Sequence, residues 1–268
     1  MKTRATKSGL TLFSIYEEDI VNGVLTVPEG VTKISSQAFS NGMVLLEKII
    51  IPSSVSNIDY WTLQFLLNLK WIEVDADNSA YSSLNGVLFN KNKTVLIRFP
   101  MGRKTTSYTV PNGVTEIFEH AFTSCTSLVN VEIPNSVTII DERAFLRCQS
   151  LINLTLPDSV KKIGMSAFGG CFSLIDIIIP NSVTEIEALA FSKCKSLKNV
   201  TLPCNITTVS SRLFYDCYEL STVTIPSSIT RIADDAFEDC GRLLIKCCED
   251  SVAVKYAKEH DIRYEIVG

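Results

Sequence analysis

The chain has 268 residues, 46% hydrophobic and 20% charged, with a mean hydropathy of +0.21. That is apolar enough for a large core and too apolar for a disordered chain. Its 25 basic against 29 acidic side chains give a formal net charge of −4, and the absence of any basic block argues against nucleic acid or an anionic membrane surface as the main partner.

In chain order, residues 1–23 read as an N-terminal segment or cap. They open MKTRATKSGLTLFSIYEED, without the apolar stretch and small-residue cleavage site of a secretory signal. Residues 24–74 read as leading repeats, with Pro28 and Pro52 spaced by 24. Residues 75–110 are irregular: Asp75 stands where a proline is expected, and Pro111 follows 36 residues later. Within them Val87-Leu88-Phe89 and Val95-Leu96-Ile97 flank the turn-rich Asn90-Lys91-Asn92-Lys93, which predicts a hairpin.

Residues 111–248 keep a strict beat. Pro111, Pro134, Pro157, Pro180, Pro203 and Pro226 are each 23 apart. Cys125, Cys148, Cys171, Cys194, Cys217 and Cys240 keep the same spacing, as do Phe122 to Phe237 and Leu128 to Leu243. Residues 249–268 read as a cap, with a helical run after Asp250-Ser251 and a strand over 262–266. The longest apolar runs, such as Ile177-Ile178-Ile179, stop within a few residues at a proline. A spanning helix needs about 20 apolar residues, so no membrane insertion is expected.

The unit is A-F-x-x-C-x-S-L-x-x-V-x-I-P-x-S-V-x-x-I with three variable positions. A Leu-rich strand repeated at this period predicts a solenoid. In Val131-Glu132-Ile133 apolar residues alternate at period 2, as in a half-buried strand. Proline ends each strand because it has no N–H for the ladder. A coil this thin cannot bury its own apolar face, so neighbours must stack at about 4.8 Å.

These columns resemble the BspA-like leucine-rich repeat family, over nearly the whole chain from about Val24. The resemblance implies a β-rich solenoid: a right-handed leucine-rich-repeat superhelix of about nine coils with parallel sheets, forming one continuous domain. It also implies that the segment after Asp75 is the family's irregular island, an outgrowth carrying a small hairpin. The C-terminal helix and strand are similar to the family's cap over the last open coil. Two departures stand out: Thr62-Leu63 replace Ala-Phe and Leu66 replaces Cys in the third coil, and Gly42 takes the Cys position in the second. An end effect is favoured over a ligand-adapted stretch.

Nine cysteines are an odd number without a CxxC pair, and the six periodic ones read as a buried structural ladder rather than disulfides or a metal site. Cys204, in the turn after Pro203, is either an exposed substitution or the most reactive thiol. No catalytic residue, metal ligand or cofactor is assigned. His120 has no marked partner carboxylate, Glu119 adjoining it only in sequence, His260 falls after the cap helix, and no hydrolase elbow, zinc motif, P-loop or dinucleotide fingerprint occurs.

What remains is a surface. The outward strand positions run Lys48, Trp71, Asn130, Asn153, Asp176, Asn199, Thr222 and Ile50, Glu73, Glu132, Thr155, Ile178, Thr201, Thr224. One reading is a solvated Thr/Asn sheet. The other is a binding strip roughly 40 Å long, on which Ile50, Trp71, Glu73, Ile175 and Ile178 break the polar rule as candidate protein-binding residues. The family resemblance implies a monomeric surface or secreted adhesin binding host or partner proteins, extracellular-matrix proteins among them. The missing signal segment and the reduced-looking cysteines favour the alternative, an intracellular scaffold or effector in the cytoplasm.

Overall fold

The computed structural model describes residues 1–6, 9–39, 44–59 and 61–267; Gly42 lies outside them. The chain winds into a parallel-sheet solenoid of about 11 turns with one short helix. The first strand column holds the L-x-x-V-x-I segments, from Val24–Thr26 through Lys48–Ile51, Trp71–Val74, Asn130–Glu132 and Asn153–Thr155 to Leu244–Cys247 and Arg263–Ile266. The second holds the V-x-x-I segments, from Val31–Ile34 and Asn57–Ile58 to Arg231–Ile232. Register follows the repeat: Asn130 faces Asn153, Val131 faces Leu154 and Glu132 faces Thr155. Counting proline positions gives nine coils because the last two rungs carry none; there the spacing shrinks, with Thr222 facing Leu244 and Leu244 facing Arg263.

Corners are closed by bonds that the repeat supplies. The amide of Val137 donates to Pro134 O at 3.1 Å, and Val160 and Val183 do the same to Pro157 and Pro180. The serine of each P-x-S-V turn reaches back one coil: Ser136, Ser159 and Ser182 donate to Val114 O, Val137 O and Val160 O at 2.7, 2.6 and 2.8 Å. At these three turns both the backbone groups and the hydroxyls are thereby satisfied, whereas Ser228, at the same position after Pro226, has no partner among the described residues.

A third column carries the Ala-Phe-Cys segments. Phe122 N donates to Ala144 O at 2.7 Å, and Phe145, Phe168 and Phe214 repeat the bond to the next turn. The rings from Phe122 to Phe237 stack with centroids 4.7, 5.3, 5.4, 5.7 and 5.6 Å apart, within 12° of parallel. Each cysteine does more than fill space. Cys148, Cys171, Cys194, Cys217 and Cys240 donate their thiol protons to the Phe carbonyl of the preceding turn at 3.1 to 3.3 Å. Burial pushes these thiols up, Cys194 and Cys240 to about 12, so they stay protonated and remain donors. All nine cysteines are free.

The third column also bends the backbone through the left-handed region, before Phe at His120, Arg143, Ser166, Leu189 and Arg212 and again at Ser124, Arg147, Gly170, Lys193, Asp216 and Asp239. Only one of these is glycine, so the turns hold strain that the stack overrides.

The island is not an outgrowth. Val87–Asn90 pairs antiparallel with Val95–Arg98 as expected, but it also pairs with Tyr81–Leu84 across Asn85-Gly86, whose φ values of 50° and 76° make the two-residue turn that Asn-Gly favours. Val95–Arg98 then pairs in parallel with Glu116–Ile117, so the hairpins are rungs of the second column. Val87, Leu88 and Phe89 are all buried. Leu88 packs into an N-terminal core running from Leu12 to Ile72, while Val87 and Phe89 pack into a larger core reaching Ala257. The island is the partition between two cores.

Each strand column is interrupted once in the regular repeats. Among the described residues, no strand pairing joins Asn153–Thr155 to the rung of Asp176, or Glu185–Ile186 to Thr208–Val209. At the second gap Ser210 Oγ reaches Ile186 O at 2.6 Å, where other turns use a backbone amide. No residue of these rungs explains the breaks. At the C-terminus the helix Val252–Glu259 buries Ala253, Tyr256 and Ala257. Tyr256 meets Phe237 edge-on at 5.9 Å and finishes the ring stack.

Four substitutions test this account by urea unfolding. Cys171→Ala removes a donor and leaves a small void, and is expected to destabilise by about 1–2 kcal/mol, whereas exposed Cys204→Ala stays within about 0.5 kcal/mol. Arg147→Gly, exposed and left-handed with Gly170 in the same column, is expected to stabilise by roughly 0.5–1 kcal/mol. Gly86→Ala would set a Cβ 2.5 Å from Trp71 Cδ2 at positive φ; a loss of about 2–4 kcal/mol with a shifted tryptophan emission is expected.

Candidate functional site

Strand alternation along the first column aims every second side chain outward: Asn153 and Thr155 are exposed around buried Leu154, and Asn199 and Thr201 around buried Val200. Part of this face is a bonded polar ladder. Asn153 Nδ2 donates to Asn130 Oδ1 at 2.8 Å, and Thr109 Oγ1 donates to Glu132 at 2.8 Å. The bonding runs between side chains, not from side chain to backbone.

The five apolar and acidic candidates fall into two groups. Ile50, Trp71 and Glu73 lie on neighbouring rungs, with Ile50 facing Glu73 and Lys48 facing Trp71. Ile50 is half-buried, and Glu73 is held by Lys48 Nζ at 2.6 Å. Trp71 is not a free ring. It packs on Gly86, whose carbonyl accepts from Ile72 N at 3.0 Å, and the Arg103 guanidinium lies 5.7 Å from its centroid. This explains its departure from the polar rule: it seats the island's turn.

Ile175 and Ile178 lie on the interrupted rung, beyond the polar rungs Ser107–Thr109, Asn130–Glu132 and Asn153–Thr155. Ile178 is 79% exposed between buried Ile177 and Ile179. Ile152, in the column of Ile175 one turn earlier, is exposed as well. Sequence reasoning missed Ile152 although the 23-residue alignment places it there. It also missed exposed Val44, Leu45, Phe65 and Leu67 at the corner before the leucine column, where the first turns depart from the repeat.

Around His120 the structure adds what sequence did not mark. The ring is buried, its Nε2 lies 3.4 Å from Glu119 Oε1, and it packs against Trp61 at 4.9 Å. Among the described residues no group of three or more His, Cys, Asp or Glu is placed to hold a metal ion, and no helix is long and apolar enough to cross a membrane.

Comparison with known proteins agrees with this geometry. A leucine-rich repeat protein from Eubacterium ventriosum is 28% identical with a TM-score of 0.67; the match covers 81% of this chain and 64% of that one. A leucine rich cell surface protein from Faecalibacterium prausnitzii is 27% identical with a TM-score of 0.62, covering 91% of this chain and 60% of the other. The pneumococcal vaccine antigen PcpA shares the fold at 21% identity and a TM-score of 0.74, over 91% of this chain and 68% of that one. This chain therefore spans less than two thirds of two of these proteins. No curated protein matches significantly. The BspA type leucine rich repeat region matches residues 20–110 and 115–244 in six copies. With that repeat over most of its length, and the stacked Phe and Cys columns that the repeat builds, the chain belongs to the BspA type leucine-rich repeat family.

Proposed function

We propose that the chain is a non-catalytic protein-binding module, displayed at a cell surface or secreted, that adheres as a monomer to a host or partner protein through the first-column face. The observation that carries this reading is Ile178, 79% exposed and flanked by exposed Ile175 and Ile152 on one face. Three isoleucines exposed on one face, where the sheet is interrupted, are what a partner's apolar surface would cover. Leucine-rich repeat proteins generally act as protein-interaction modules, and their fold is typically non-catalytic. The likeness to a Faecalibacterium prausnitzii cell surface protein supports the surface reading. The cysteine ladder supports neither compartment. Its thiols are buried, protonated and bonded, and such thiols stay free whether the surroundings oxidise or reduce.

The test uses the full chain against a panel of purified extracellular-matrix proteins by surface plasmon resonance. At least one is expected to bind in the micromolar range or tighter. Ile178→Glu, with unchanged circular dichroism and melting, is expected to weaken that binding at least tenfold, a loss of about 1.4 kcal/mol or more. Binding by no matrix protein would remove the adhesin role, and a variant that binds as the parent does would remove the face.

A further inference from the structure

Six buried side-chain polar atoms have no hydrogen-bond partner among the described residues, and three of them belong to two residues of one cavity: Arg98 Nε, Arg98 Nη2 and His120 Nε2, with Thr62 Oγ1 a fourth next to it in the chain. Arg98 and His120 line a cavity of about 260 Å³ at the seam of the two cores, and Thr62 adjoins the lining Leu63. The walls are mostly apolar: Ile58, Leu63, Leu88, Val95, Ile97 and Phe118. Leu63 stands where regular turns carry a phenylalanine, and the smaller side chain leaves room that a ring would take.

Arg98 is the unusual member. It is only 4% exposed and occupies an inward position of its strand, in phase with Leu96. Nη1 donates to His120 O at 2.5 Å, and no carboxylate among the described residues pairs with the guanidinium. Burial pulls its pKa down only to about 10, so it is charged at neutral pH. The nearby thiols give no counter-charge, since burial pushes Cys125 up to about 12 and Cys148 well above its ordinary value. An unpaired cation in a protein interior is expensive.

The surroundings limit what could pair with it. Burial, then the charges of Arg143 and Arg98, pull His120 down to about 4, so its ring is neutral. The Thr123 hydroxyl donates to Arg143 O at 2.9 Å, so the 3.0 Å contact with His120 Nδ1 is donated by the ring and Nε2 keeps its lone pair. Asp59, also in the lining, is held by Lys33 at 2.8 Å. Glu119 is raised by burial and then by the charges of Glu142 and Asp141. Lys33 already neutralises Asp59, and burial favours the uncharged form of Glu119, so the single charge of the guanidinium matches a monoanion and a dianion would bring one charge without a partner.

We propose that this cavity binds a small organic monoanion, a monocarboxylate with a short apolar tail, its carboxylate on Arg98 and its tail against Leu63, Leu88 and Ile97. The replacement of Ala-Phe by Thr62-Leu63 is then a ligand-adapted feature rather than an end effect. The site is separate from the first-column face and does not depend on it.

The test is calorimetric titration of the full chain with hexanoate, hexan-1-ol and acetate, alongside thermal melting. Hexanoate is expected to bind and raise the melting midpoint, with acetate and hexan-1-ol each at least tenfold weaker. Arg98→Met, which replaces the lone buried charge with an apolar chain of similar reach, is expected to fold at least as stably and to lose hexanoate binding. Ile97→Phe fills the apolar end without touching a charge and is expected to lose it too. The proposal is overturned if hexanoate does not bind, if acetate or hexan-1-ol binds as tightly, or if either folded variant retains the affinity.

Discussion

A carbonyl oxygen has two lone pairs, and in the regular turns of this chain the phenylalanine carbonyl fills both. Phe145 O accepts from Cys148 N of its own turn at 3.1 Å and from Cys171 Sγ of the next at 3.3 Å. One bond forms the corner and the other ties two corners together, so no turn completes itself alone. Ring stacking and the Phe-to-Ala amide bonds repeat that dependence, and stability becomes a sum of nearest-neighbour interfaces. A thiol suits the position because it donates weakly while packing as an apolar group, a combination that neither alanine nor a strongly hydrated hydroxyl supplies.

The island interrupts this logic and reorganises it. By inserting two hairpins into the second column it closes one apolar core with Leu88 and opens another with Val87 and Phe89. The junction is stitched by specific contacts rather than by the repeat: Trp71 on Gly86, Arg103 over Trp71, and Asn78 Nδ2 bonding Pro52 O and Val55 O at 2.8 Å. Unpaired polar atoms collect at the same seam, where the periodic packing offers them no partner.

Much of this was legible in the sequence, for a physical reason. A column at a fixed spacing forces the same residue type into the same environment on every turn, so Phe122 to Phe237 and Cys125 to Cys240 could be read as stacks. The helix after Ser251 and the final strand followed from local pattern. The two last rungs escaped the count because their strands end without proline. Asn85-Gly86 was visible as a turn signal, but which face the hairpin would join depends on non-local packing. Exposure at the candidate site divided the same way. Alternation placed Ile178 and Trp71 in solvent correctly, whereas the contacts of Trp71 with Gly86 and Arg103 and the partial burial of Ile50 come from neighbours that alternation does not describe. Arg98 was available to the same rule, since it falls in phase with Leu96, and it is the one charge on that strand's inner side.

The two ladder breaks fall one turn apart, on different faces. Across that stretch the Phe-Cys column alone keeps its backbone bonds, with Phe145 N on Ala167 O, Phe168 N on Ala190 O and Phe191 N on Leu213 O. Each of the two junctions is nevertheless bonded on a second face, by Lys162–Ile163 on Glu185–Ile186 at the first and by the Asp176 to Asn199 bridge at the second, so a pull along the long axis passes through two faces of three and the molecule is softest against bending there. Flexure at the first of them would open the first column, where Ile178 stands, so tension on the protein would alter the curvature of its exposed isoleucine patch.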